Sequence, residues 1–144
     1  MNIRKIKENE RNEAVTLVLN VFMEFEAPVY SLEGIENFKD YVHKSTIFDE
    51  LQIYAAFHSQ KIIGVIATRK QGSHISLFFV DPKYQRQGIG RKLFNQVKKD
   101  CTGDVLTVNA SPYAVQIYKR LGFIATDTEQ TTDGIRFTPM IYRK

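Results

Sequence analysis

Val80-Asp81-Pro82-Lys83-Tyr84-Gln85-Arg86-Gln87-Gly88-Ile89-Gly90-Arg91-Lys92-Leu93-Phe94 reads as a strand end, a turn, a basic glycine-containing loop and a helix start. Ile75 to Val80 are mostly apolar and β-prone, as a buried strand requires. Asp81-Pro82 ends that strand. Beyond Gly90, Leu93, Phe94 and Val97 follow helical spacing, and Arg91, Lys92, Lys98 and Lys99 fall largely on the other face. A loop that feeds a helix N-terminus presents unpaired backbone N–H groups and the positive end of the helix dipole. Such a place suits an anion, phosphate above all. Side chains at Gly88 and Gly90 would hold a phosphate away from the backbone. The run lacks the third glycine and the acidic residue about 20 positions on that a dinucleotide fingerprint needs. No Gly-Lys-Ser/Thr follows either, so it is not the phosphate loop of nucleotide hydrolases.

Working outward, Gln52 to Phe57, Ile62 to Thr68 and Ile75 to Val80 form a three-strand antiparallel meander with turns at Ser59-Gln60-Lys61 and Gly72-Ser73. Upstream, Asn2 to Ile6 predict a first strand. Asn9 is positioned to cap a helix that runs to about Phe25, with Ala14, Val15, Val18, Leu19 and Phe22 on its apolar face. Ala27-Pro28 stops it, and Ser31 caps a second helix that buries Ile35, Phe38, Tyr41 and Val42. Downstream, Val105 to Asn109 predict a strand. Ser111-Pro112 predicts a helix start, and that helix ends near Gly122. Phe123 to Thr128 and Ile135 to Tyr142 predict a closing hairpin across a polar tip, Gln130 to Gly134. The order is β-α-α-β-β-β-α-β-α-β-β, an α/β (α+β) arrangement around a mixed central sheet. The central meander excludes a purely parallel, doubly wound fold.

The 144 residues are 43% hydrophobic and 25% charged, and residues 1–144 read as one domain with one sizeable core. No apolar run reaches the roughly 18 residues that a membrane span needs, and Met1 to Lys5 lack the apolar segment of a secretory signal. A single cysteine, Cys101, excludes an internal disulfide and fits a reducing compartment, so a cytoplasmic location is expected. Cys101 with three scattered histidines offers no metal-ligand spacing, so no metal is expected. The net charge of +4 is concentrated at Lys83 to Lys99, around the loop. That basicity suits a polyanion. No aromatic RNA-binding motif interleaves with it, so nucleic acid is not the expected partner.

Gln85-Arg86-Gln87-Gly88-Ile89-Gly90 resembles the acetyl-CoA pyrophosphate loop of the GNAT superfamily of N-acetyltransferases, Gln/Arg-x-x-Gly-x-Gly/Ala. Ala114, Tyr118, Gly122 and Phe123 match a second pattern of that family, Asn-x-x-Ala-x-x-x-Tyr-x-x-x-Gly-Phe. The family asparagine is replaced by Ser111, with Asn109 two places before it. The resemblance spans nearly the whole chain and implies a GNAT fold. It also implies direct acetyl transfer from acetyl-CoA to a primary amine: a small amine or polyamine, a peptide N-terminus or a lysine. It places the cofactor against Phe78, Phe79, Val80, Gln85, Arg86, Gln87, Gly88, Ile89, Gly90, Arg91, Asn109, Ser111, Tyr113 and Tyr118. The arm of the cofactor is expected in a gap between the strand ending at Val80 and the strand Val105 to Asn109. A backbone N–H near Phe79 or Val80 would point at the thioester oxygen.

In the family, the tyrosine matching Tyr118 can donate a proton to the departing thiolate. A phenol, with a reference pKa of about 10, is protonated for that task. Some members carry a base on the strand matching Ile75 to Val80, and this strand has no carboxylate. Glu24 and Glu26 are the nearest candidates in family topology, then His74, then water. Cys101 has no evident activating partner and is not expected to be a nucleophile. Phe22, Phe25, Tyr30 and Phe38 are expected to line the acceptor side, with Glu24, Glu26 and Glu33 available to a cationic amine. The alternative reading is a noncatalytic acyl-CoA-binding regulator. The closing hairpin is expected to leave a sheet edge for a second copy, as a homodimer would need.

Overall fold

The computed structural model describes residues 1–44, 46–69 and 71–144. The strands are β1 (Asn2–Lys5), β2 (Gln52–His58), β3 (Lys61–Arg69), β4 (His74–Val80), β5 (Val105–Ala110), β6 (Ile124–Ala125), β7 (Gln130–Thr132) and β8 (Ile135–Arg143). The helices are α1 (Arg11–Phe25), α2 (Leu32–Val42), α3 (Ile47–Glu50), α4 (Ile89–Asp100) and α5 (Val115–Leu121). One sheet runs β1-β2-β3-β4-β5-β8-β6, with β7 also paired to β8. Among the described residues only β4 and β5 pair in parallel. The anticipated GNAT-type mixed α/β order is thus present, with α3 inserted and the C-terminal hairpin divided into three strands.

The strands are apolar on both faces because both are covered. Ala55, Phe57, Val65, Leu77 and Phe79 pack under α1 and α2, against Leu17, Val18, Val21 and Phe22. Tyr54, Ala56, Ile66 and Ile75 pack on the opposite side with Leu93, Phe94 and Val97 of α4 and Tyr118 of α5. Phe22 is fully buried and stacks on Phe38 at 3.9 Å between ring centroids, tying α1 to α2. Burial of one such ring stabilises the fold by about 1.5–3 kcal/mol.

Several local expectations change. Asn9 does not cap α1. A single 3-10 turn, Glu8–Glu10, precedes it. The Lys7 N–H donates to the Glu10 carboxylate at 2.8 Å, and Arg4 fixes that carboxylate with two bonds of 2.9 and 2.8 Å. Ser31 does cap α2, accepting from the Gly34 N–H at 3.1 Å. Ser111-Pro112 opens a turn ahead of α5, which begins only at Val115. Gln130 to Thr132 are not part of a loop but strand β7, and the chain reverses at Asp133-Gly134 alone. Both turn residues have positive φ, 52° and 78°, the geometry that two-residue hairpins favour. The final strand β8 is paired on both sides, by β5 and by β6 and β7, so the outer edge is the short β6–β7 side.

That hairpin tip is built against α2. Asn37 Nδ2 donates to the Asp133 carbonyl at 3.0 Å, and a Cβ on Gly34 would overlap the Gly134 carbonyl. Gly34→Ala is therefore expected to destabilise the protein by about 1–3 kcal/mol, read as a lower melting temperature. An unchanged midpoint would show that the tip and α2 separate easily.

Candidate active site

Strands β4 and β5 pair only at His74–Thr107 and Ile75–Val108. The cause lies next to the second pair. Thr68 faces Ile75 and Ala67 faces Leu77 across the β3–β4 ladder, so Ser76 is an extra residue without a partner. A bulge of this kind bends its strand. Past it, the β5-facing edge of β4 from Ser76 to Val80 has left the ladder, and the sheet opens into a wedge.

Two clefts meet in that wedge. The larger, about 500 Å³, runs from Phe78, Phe79 and Val80 past the loop at Gly88 to α5. The smaller, about 220 Å³, lies toward α2 and the hairpin and is lined by Tyr30, Phe38 and Ile135 among others. Glu26, Phe78, Phe79, Ala114 and Tyr118 line both.

The glycine loop forms one wall of the larger cleft. Gly88 is left-handed, φ 81°, and caps α4; a Cβ there would meet nothing within 4 Å. Arg86 also has positive φ, 64°. The first bond of α4 joins the Lys92 N–H to the Gly88 carbonyl at 3.1 Å. The N–H groups of Ile89, Gly90 and Arg91 thus precede the helical ladder and are open to an anion. Gln85 braces the loop, its Nε2 donating to the Val80 carbonyl at 3.0 Å. Arg91 reaches over to the Arg120 carbonyl at the end of α5, 3.2 Å away. Gln87 is exposed, with its Nε2 at 3.5 Å from the Lys83 carbonyl.

The junction of the clefts is a buried polar cluster. Glu26, just past α1, is only 8% exposed. Burial raises its carboxyl to about 7, and a hydrogen bond from Ser111 acts the other way. The Ser111 hydroxyl also hydrogen-bonds Tyr30, and its oxygen accepts the Ala114 N–H at 3.2 Å. Burial first, then the nearby Glu26, pushes the Tyr30 phenol well above the ordinary tyrosine range. Tyr118 is buried against Phe78 and Phe123, at 5.8 and 5.2 Å between centroids. Burial first, then the Glu26 charge, pushes its phenol well above the ordinary tyrosine range.

The two acidic candidates of α1 therefore separate. Glu26 faces the junction, whereas Glu24 is exposed and lines neither cleft. Glu33 is likewise exposed and outside both. Phe25 lines neither cleft but stacks on Tyr113 at 4.9 Å, and Tyr113 borders the larger one. Asn109 and Ser111 border the smaller cleft, not the larger. Sequence reading missed Ser76 and Arg69 of that cleft. A bulge leaves no residue signature in an apolar run, and Arg69 reads as an ordinary strand-end charge. Among the described residues no group of three or more His, Cys, Asp or Glu is arranged to hold a metal, and no helix is long and apolar enough to cross a membrane.

The profile of the acetyltransferase (GNAT) domain matches residues 26–144, and the chain belongs to that family. No curated protein sequence matches it significantly. Solved structures share the fold at low identity. A GCN5-related N-acetyltransferase from Rhodopseudomonas palustris superposes with a TM-score of 0.85 at 18% identity, over 99% of this chain and 95% of that one. The PaiA N-acetyltransferase of Thermoplasma acidophilum, in complex with coenzyme A, gives 0.74 at 19% identity, over 99% and 98%. An aminoglycoside 6'-N-acetyltransferase complexed with coenzyme A gives 0.72 at 14%, over 99% and 97%.

Proposed function

We propose that this GNAT chain, as one domain over residues 1–144, moves the acetyl group of acetyl-CoA to a primary amine by direct attack in a ternary complex. The observation that carries the reading is the meeting of two clefts at one buried acid–base pair, Glu26 and Tyr118, beside a bulge-opened strand edge. Two structural neighbours are coenzyme A complexes, which supports the same ligand here.

The residues present fit that co-substrate. The open space at Gly88 and the first N–H groups of α4 suit a pyrophosphate, with Arg86 and Arg91 adding charge. The freed edge of β4 at Phe78 to Val80 offers backbone partners to an amide-bearing arm. Acetyl-CoA supplies a thioester, and the chain supplies position, a base and an acid. Glu26, with its carboxyl near 7, accepts the proton of an incoming ammonium directly or through one water. Tyr118, held protonated, lies at the same junction to donate to a departing thiolate. Holding both reactants at this junction contributes much of the acceleration. The β4 strand carries no carboxylate, the feature that favours a noncatalytic acyl-CoA regulator; Glu26 fills that role from just past α1 instead. A cytoplasmic location agrees with the single buried thiol of Cys101.

Calorimetric titration with acetyl-CoA and with CoA tests the site. Gly88→Glu adds a carboxylate to the anion site and a side chain at φ 81°. We expect micromolar binding by the parent and a loss of about 30- to 100-fold in the variant, with the fold retained. No binding of either ligand by the parent would sink both the enzyme and the regulator readings.

A further inference from the structure

The smaller cleft has a charge layout that selects among amines. Resting on the acetyl-transfer reading, we propose that the acceptor is an amine that also carries a carboxylate several bonds away, a short peptide or an amino acid with a side-chain amine, and that Arg69 binds that carboxylate.

The two ends of the cleft differ in charge. Glu26 stands at the junction, where the amine would react. Arg69, the last residue of β3, lines only the smaller cleft. It pairs in register with His74, at the opposite end of β4 from the reacting edge. His74 and Phe78 are four residue steps apart along the strand, roughly 13 Å. Among the described residues the ion pairs are those of Arg4, Lys39, Lys44 and Arg136, and none engages Arg69. No acidic residue other than Glu26 lines this cleft.

A second observation lies between the ends. Ser76, the bulged residue, has a buried hydroxyl with no hydrogen-bond partner among the described residues. It lines the same cleft. A buried polar atom without a partner is uncommon and calls for an explanation. A ligand oxygen held by the guanidinium fork supplies one. His74 is fixed beside it, its Nδ1 at 2.8 Å from Thr107 Oγ1, which keeps this end of the wedge rigid. A polyamine or an aminoglycoside would instead place a second cation against Arg69. The pocket is therefore not the uniformly acidic one that Glu24 and Glu33 suggested in the sequence, since neither side chain reaches it.

The test is thiol release from acetyl-CoA with free L-amino acids and glycyl dipeptides, the same compounds as C-terminal amides, and putrescine. At least one free acid should exceed its amide by about 30-fold in kcat/KM, through KM. Arg69→Gln should bring that ratio toward one, and Arg69→Lys should keep part of it. A second readout separates this inference from the reading beneath it. N-acetyl amino acids and their amides are titrated calorimetrically into the CoA-saturated protein. Carboxylate-dependent binding lost in Arg69→Gln, without turnover, would keep Arg69 as a carboxylate site but sink the acetyl-transfer reading and, with it, the assignment of an acceptor. Equal use or binding of acid and amide, a preference for putrescine, no effect of Arg69→Gln, or no binding by any probe would overturn it.

Discussion

Glu26→Gln should lower kcat/KM on the order of 10³-fold above pH 7 while leaving CoA affinity intact, because the proposed base is removed and the loop at Gly88 is untouched. The parent rate should rise with pH through about 7, where the buried carboxyl loses its proton, and that limb should vanish in the variant. Ser111→Ala should move the limb upward, since the serine hydrogen bond favours the ionised form. The same carboxyl gives an opposite signal in stability. Its pKa is about 7 in the fold against 4.5 in the open chain, so folding takes up a proton between those values. Stability from this group is greatest below 4.5, falls as pH rises, and is lowest above 7, by up to about 3 kcal/mol. Glu26→Gln should accordingly melt higher than the parent at pH 8 and nearly equal to it at pH 5. A variant that loses activity without gaining stability at pH 8 would mean that Glu26 is already compensated by a cation. A fully active variant would return the role to water.

Tyr118→Phe should lower kcat by about 10²- to 10³-fold. CoA binding and melting temperature should change little, because the ring contacts with Phe78 and Phe123 remain. The comparison separates two uses of one side chain. If the ring alone matters, as a wall between the clefts, the phenylalanine variant stays active. If the hydroxyl protonates the leaving thiolate, the loss should shrink with acyl donors whose thiols are more acidic, since these need less help to depart. An unchanged kcat across such donors would remove Tyr118 from the chemistry.

Much of this was legible in the chain. The hydrophobic run to Val80, the Gly88-x-Gly90 spacing and the helix from Leu93 onward each obey a local rule, so strand, loop and α4 could be read in order. Ser31 as a cap and Gly122 as a helix end are equally local, set by side-chain oxygen geometry and by left-handed φ. The division of the closing hairpin was legible in principle: Asp133-Gly134 is the strongest short turn signal there, and the polar residues Gln130 to Thr132 hid a strand exposed along its whole length.

Glu24 and Glu26 show where local reading stops. Both are acidic residues at the end of one helix, and two positions of spacing place them on different faces. Only the packing of α1 on the sheet determines which one loses its water and which keeps it. The bulge at Ser76 is a property of two strands in register, invisible in either alone, yet it opens the wedge between β4 and β5. The pairing of Glu26 with Ser111 joins residues from α1 and the β5–α5 turn that no pattern links. By itself the sequence determined the main order of strands and helices, the glycine loop ahead of α4 and the family, because these rest on short-range periodicity and backbone geometry. Tertiary structure alone decided which carboxylate is buried, where the sheet splits and which charges line the smaller cleft, because desolvation and strand register depend on neighbours distant in the chain.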